Sequence, residues 1–189
     1  DIPEFAELAA AVNGSIFSYG HQGKDIILSN ATPAHNGTHV SMRVLGRPYD
    51  IDLPLVGTFQ VYNVMCAAGL AIACGENSAN VVNCLPRLQG APGRLERAGV
   101  VNGAGVYIDY AHTPDALENV LTSLRPYTTR QLAVVFGCGG DRDRGKRPMM
   151  GRVAGNHADR VFVTDDNPRS ESASTIRREI MQSAPNAIE

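Results

Sequence analysis

The sequence predicts an α/β protein in two parts, a mixed sheet with helices followed by a parallel, doubly wound half. Three observations carry this expectation. Two period-two segments flank a short turn before residue 54, which is the pattern of a hairpin. A glycine- and proline-bearing break at Gln89-Gly90-Ala91-Pro92-Gly93 interrupts the chain at its midpoint. Beyond it, short apolar runs alternate with helical stretches three times.

In order along the chain, Ile26-Ile27-Leu28 is a short apolar run, and His39–Val44 and Tyr49–Leu53 are the alternating strands around Leu45-Gly46-Arg47-Pro48. The stretch from Val61 to Cys74, preceded by Gly57 and ended by Gly75, is too long and too alanine-rich for a strand and is expected to be a buried helix. Asn77 or Ser78 is placed to cap a second helix running to about Leu88. A boundary near residue 97 divides the chain into domains 1–96 and 97–189. In the second, Val106–Ile108, Leu132–Phe136 and Val161–Val163 are expected strands, and Pro114–Leu124, Lys146–His157 and Ala173–Met181 expected helices. Three strand–loop–helix units imply a Rossmann-like parallel sheet, with ligands at the carboxyl ends of its strands.

Composition narrows the function classes. With 43% hydrophobic and 19% charged residues, the chain reads as an ordinary globular protein. A net charge of −2 gives no general attraction to nucleic acid or anionic membrane. No apolar run approaches the roughly 20 residues of a membrane-spanning helix. No signal segment opens the chain; it starts at Asp1 rather than Met and is expected to begin mid-protein. Cys66, Cys74, Cys84 and Cys138 form no metal-binding spacing, so reduced core or near-core thiols in a cytoplasmic protein are expected.

The polar clusters of the second half each follow a predicted strand. Asp109-Tyr110-Ala111-His112-Thr113-Pro114-Asp115 offers a carboxylate for ribose hydroxyls and a histidine for phosphate at a helix start. A helix cap explains Thr113, Pro114 and Asp115 equally well, and leaves Asp109 and His112 over. Gly140 to Lys146 fits G-x-x-x-x-G-K, but Arg147 stands where a phosphate loop needs Ser or Thr, and charged side chains fill the loop. The cations could instead hold a carboxylate or phosphate through their side chains; a solvated charged turn is the plainer alternative. Thr164-Asp165-Asp166-Asn167-Pro168-Arg169 suits a zwitterion, with Asp for an ammonium and Arg for a carboxylate. A polar turn with Ser170 or Ser172 capping the next helix serves as well.

Taken together, these clusters resemble the Mur ligase family. The carriers are Asp109–Asp115, Phe136-Gly137-Cys138-Gly139-Gly140-Asp141-Arg142-Asp143, Gly145-Lys146-Arg147-Pro148 and Asp166-Asn167-Pro168-Arg169. Upstream, Gly57-Thr58-Phe59-Gln60-Val61-Tyr62-Asn63 and Pro92-Gly93-Arg94-Leu95-Glu96-Arg97 join them. The resemblance implies that 1–96 is the end of a central ATP-binding domain and 97–189 an incomplete amino-acid-binding domain. It implies an ATP-dependent ligase adding meso-diaminopimelate to UDP-N-acetylmuramoyl-L-alanyl-D-glutamate in cytoplasmic peptidoglycan synthesis. ATP and Mg2+ are the implied cofactors, with the metal ligands expected outside this segment, and a monomer that binds neither nucleic acid nor membrane is expected. By position, Asn63 would lie against the adenine, Arg94 near the phosphates, and Asp109 on the ribose from across a domain cleft. Arg142, Asp166, Asn167, Pro168 and Arg169 would hold the amino acid. Gln60 stands where the family usually has Asn. No residue is a strong nucleophile or base; His112 is the nearest, and only weakly a catalytic candidate. A lysine-adding Mur ligase and a non-catalytic nucleotide-binding module remain as alternatives.

Overall fold

The computed structural model describes residues 4–34 and 37–189, so the first three positions of the first predicted domain lie outside the described residues. The chain divides into two compact units, Asp1–Arg97 and Ala98–Glu189.

The first unit opens with helix α1 (Phe5–Ala11) and then builds a four-stranded sheet from β1 (Tyr19–Gly20), β2 (Ile26–Ala34), β3 (Gly37–Val44) and β4 (Arg47–Leu53), in that spatial order. β1 runs parallel to β2, and the other pairs are antiparallel, so the sheet is mixed. β3 and β4 turn through Leu45 and Gly46, both at positive φ, so the turn is two residues long and Arg47-Pro48 already belong to the strand. Alternation puts Val40, Met42 and Val44 on the inner face with Ile51 and Leu53. Helix α2 (Thr58–Ala73) covers that face with Val61, Val64, Met65 and Ala68, the helical spacing expected of a buried stripe. Asn77 caps α3 (Ser78–Cys84) by accepting the Ala79 and Asn80 N–H groups, and a 3₁₀ turn follows at Leu85–Arg87 in place of the longer helix expected.

β5 (Glu96–Val101), which starts at the last two residues of the first unit, and β6 (Ala104–Ile108) are joined by Asn102-Gly103, both at positive φ, and form a two-stranded sheet. β6 was expected to enter one parallel sheet with the later strands. Its hydrogen bonds go to β5 instead, because the Asn-Gly turn folds it back on the strand before it. β7 (Ala133–Phe136) and β8 (Arg160–Val163) pair in parallel. Helices α4 (Pro114–Leu124), α5 (Lys146–His157) and α6 (Ala173–Met181) follow β6, β7 and β8 respectively, at the expected positions. Leu117, Leu121 and Leu124 form the buried stripe of α4, which packs on α5, and α5 packs on α6. α5 and α6 approach closely where Gly151 faces the Ile180 carbonyl. Among the described residues no helix is long and apolar enough to cross a membrane. All four cysteines are unbridged; Cys138 is buried, but Cys74 and Cys84 are exposed rather than near the core.

Candidate functional site

β7 and β8 lie side by side and in parallel, so the loops leaving their carboxyl ends, 137–145 and 164–172, meet above the sheet edge. Their contact is made first by backbone. Gly140 N–H donates to the Asn167 carbonyl at 2.9 Å, and Thr164 N–H donates to the Phe136 carbonyl at 3.0 Å. A Cβ on residue 140 would fall 1.8 Å from the Pro168 carbonyl oxygen, and one on residue 137 would fall 2.5 Å from that of Thr164. Glycine is therefore required here by the neighbouring loop.

Side chains then lock the pair. Asp141 N–H donates to Glu171 Oε1 at 2.7 Å, and Asp141 in turn accepts from Ser170 Oγ at 2.6 Å and Ser170 N–H at 3.2 Å. The Ser170 bonds hold the Asp141 carboxyl below its ordinary range. Arg147, from the first turn of α5, is 0% exposed and grips both Glu171 oxygens, Nη2 to Oε1 at 2.7 Å and Nη1 to Oε2 at 2.9 Å. Its Nη1 also donates to Glu179 Oε2 on α6 at 2.7 Å, its Nη2 to the Gly139 carbonyl at 3.3 Å, and Arg144 Nη2 donates to the other Glu179 oxygen at 2.5 Å. The Arg147 bonds, followed by the Asp141 N–H, pull the Glu171 carboxyl down to about 2. Arg144 and then Arg147 likewise depress Glu179, while hydrogen bonds to Glu171 raise Arg147.

This geometry corrects the expectation that the loop cations together serve an external anion. Arg144 and Arg147 are committed to the protein's own carboxylates, and Lys146 Nζ donates to the His112 carbonyl at 2.7 Å. A phosphate cradle is also closed, because the N–H groups of Gly140, Asp141 and Gly145 already donate to Asn167, Glu171 and Asp143. Arg142 is exposed, and its guanidinium has no hydrogen bond or ion pair among the described residues. Arg169, at φ +50, donates through Nη1 to the Gly140 carbonyl at 2.8 Å, so one nitrogen staples the loops while the residue stays exposed. Asp165 is paired with Arg177 of α6, which leaves Asp166, exposed like its neighbour, as the carboxylate of the cluster with no ion pair among the described residues. Asn167 Oδ1 accepts the Arg169 N–H at 3.2 Å, and Pro168 lends its carbonyl to the Glu171 N–H at 3.0 Å.

In the loop after β6, Asp109 Oδ1 accepts the Ala111 N–H at 2.8 Å, and Thr113 Oγ1 caps α4 through the Ala116 N–H at 3.3 Å with Pro114 at the first helical position. His112 is exposed, edge-on to the Tyr110 ring at 5.1 Å, with Nδ1 3.1 Å from the Tyr110 carbonyl. Burial pushes the Cys138 thiol up, which makes it a poor nucleophile. In the first unit Gln60 is 6% exposed; its Nε2 donates to the Arg94 carbonyl at 2.8 Å and its Oε1 accepts from Asn63 Nδ2 at 3.1 Å. Gln60 thus ties Asn63 to the Arg94 backbone. Among the described residues no group of three or more His, Cys, Asp or Glu side chains could hold a metal ion.

Glu171 and Glu179 escaped the sequence reading, being carboxylates in no motif. The available signal was that Glu179 sits beside Ile180 on the face of α6 that Ile176 and Ile180 bury.

Comparison with known proteins agrees along the whole chain. Residues 93–189 match the family described as Mur ligase, glutamate ligase domain, and residues 1–71 match the Mur ligase middle domain. The UDP-N-acetylmuramoyl-L-alanyl-D-glutamate--2,6-diaminopimelate ligase of Mesorhizobium japonicum is 50% identical over 97% of this chain and 38% of its own length. That of Caulobacter vibrioides is 49% identical over 99% of this chain and 39% of its own. A solved ligase of the same name aligns with a TM-score of 0.63 at 35% identity, covering 91% of this chain and 36% of that one. MurF from Acinetobacter baumannii shares the fold, with a TM-score of 0.74 at 19% identity over 98% of this chain and 40% of that one. The chain thus spans 38–39% of the length of these two curated relatives. On a family model covering its entire second half and relatives half identical to it, the chain belongs to the Mur ligase family.

Proposed function

We propose that this chain is part of an ATP-dependent ligase that joins meso-diaminopimelate to UDP-N-acetylmuramoyl-L-alanyl-D-glutamate in the cytoplasm. On this reading 1–96 is the end of the central ATP-binding domain and 97–189 most of the amino-acid domain. The observation that carries it is the half identity, over nearly the whole chain, to relatives bearing that ligase's name. In the reaction the dipeptide carboxylate attacks the γ-phosphorus of ATP and ADP leaves. The amine of the amino acid then attacks the acyl phosphate, and the tetrahedral adduct expels phosphate. The chain's part is positioning. Arg169 and Arg142 would take the carboxylates of diaminopimelate, and Asp166 an ammonium, with Asn167 and Pro168 shaping the loop between them. Asn63, Arg94 and Asp109 would take adenine, phosphates and ribose. Magnesium is implied by the family, and its ligands would come from outside this segment, since no group of three or more His, Cys, Asp or Glu side chains among the described residues could hold it. The working enzyme is taken to be a monomer without nucleic-acid or membrane partners.

A lysine side chain ends in a cation, which the exposed guanidiniums would repel, while a distal carboxylate accepts them. Steady-state kinetics on the full-length parent test this. Arg169→Ala should raise the KM for meso-diaminopimelate about thirtyfold to a thousandfold, the loss of roughly 2–4 kcal/mol for a charge-assisted bidentate bond, with little change for ATP. Because Arg169 also staples Gly140, Arg142→Ala is the cleaner cut, expected at about tenfold, or roughly 1.4 kcal/mol. Unchanged diaminopimelate kinetics in both variants, or a wild type that prefers lysine, would sink the assignment.

A further inference from the structure

We propose that Glu171 is a positioning residue of the amino-acid site, holding the loop that carries Arg142 in register with the loop that carries Arg169. The proposal rests on the reading that these two loops receive the amino acid. A single carboxylate spans both. Its oxygens take three bonds from the 137–147 segment, one from Asp141 N–H and two from Arg147, while its own N–H closes the turn at Pro168. The grip is reciprocal, because Asp141 reaches back to Ser170 through both carboxylate oxygens.

The two ends of this clamp touch the two candidate arginines in sequence. Arg142 directly follows Asp141, and Arg169 directly precedes Ser170. Asp141 at φ +52 and Arg169 at φ +50 both hold left-handed backbone, which non-glycine residues adopt only when their surroundings dictate it. The direction in which each arginine leaves the chain therefore depends on bonds that converge on Glu171. A stabilising role alone explains this less well. Arg147 is wholly buried with its Nε unpaired, and an apolar pair of similar volume commonly stabilises an interior as well as an ion pair does. What the charges add is a fixed register between two loops.

The test is made in the full-length parent enzyme. Glu171→Gln keeps the volume but turns an amide donor toward the Arg147 guanidinium. It should raise the KM for meso-diaminopimelate about ten- to fiftyfold while the KM for ATP stays within about twofold, and Glu171→Asp should recover part of the loss. Ser170→Ala removes one bond of the clamp without touching the buried charges, and is expected to raise the same KM about threefold. A Glu171→Gln enzyme that melts earlier yet keeps its amino-acid KM, or loses ATP and amino acid together, overturns the proposal. If that variant does not fold, an unchanged amino-acid KM in Ser170→Ala overturns it. Should the wild type prefer lysine, the substrate reading fails by itself, and the Glu171 ratios are then taken on the lysine KM with the same criteria.

Discussion

In the first unit the side chains assigned to the nucleotide are tied together by an uncharged amide, whereas in the second the loops assigned to the amino acid are tied by carboxylates and guanidiniums. Gln60 reaches Asn63 and the Arg94 backbone with two neutral bonds from a helix seated on a continuous apolar core. Glu171 and Glu179 reach Arg144 and Arg147 with bonds that all carry charge. The neutral bridge costs little to desolvate and orients one side chain on a rigid face. The ionic one costs more to desolvate and aligns two irregular segments that no sheet ladder holds.

The comparison breaks most visibly at Arg147. Arg147→Met should cost about 3–5 kcal/mol, because Glu171 and Glu179 stay behind with Arg144 as their remaining cationic partner among the described residues. The chain has no Trp, so urea unfolding followed by circular dichroism is the measurement, with hydrogen exchange to place the loss in α5 and α6. A loss under about 1 kcal/mol would put the network's worth in doubt. Acid makes the same cut reversibly. The Glu171 carboxyl lies at about 2 against an ordinary 4.5, so its contribution is complete above pH 4.5 and is lost as pH falls through about 2. The stability gap between wild type and Glu171→Gln should close over that window, and a gap constant with pH would contradict the ionic account. Gln60→Ala should cost about 1–3 kcal/mol by removing the two hydrogen bonds of this buried amide, with no change across the same pH range. The smallest effect is expected at Thr113→Ala, about 1 kcal/mol from the lost cap of α4, equally blind to acid.

Much of the regular structure was legible because it is locally encoded. The alanine-rich stretch after Gly57 became α2, Thr113-Pro114 opened α4, and the alternation around Leu45-Gly46 became the β3–β4 hairpin. β1, β5 and the second half of β2 were not legible. Ser29-Asn30-Ala31-Thr32-Pro33-Ala34 has no apolar alternation, and it is a strand because β3 lies beside it. At the site, the clusters after β7 and β8 stood out by composition, but their internal wiring did not. Arg147 stood out only as the wrong residue for a phosphate loop, yet it is the most buried charged residue among those described, and its partners lie 24 and 32 positions away. The glycines after β7 read as a loop for a ligand, yet their nearest claim comes from the protein's own backbone.

That claim has a consequence for engineering and for descent. With the Pro168 carbonyl where a Cβ of residue 140 would stand, the two loops are not interchangeable parts. A chimera that imports residues 164–172 from a ligase of another amino-acid preference would meet a host loop shaped to a different backbone. Grafting residues 137–147 along with it, and the Glu179 face of α6, transplants a matched set. Changes of substrate in such a lineage that reshape either backbone should accordingly arrive in paired substitutions across the two loops, while a side chain gained at residue 140 alone is lost before its specificity can be tried.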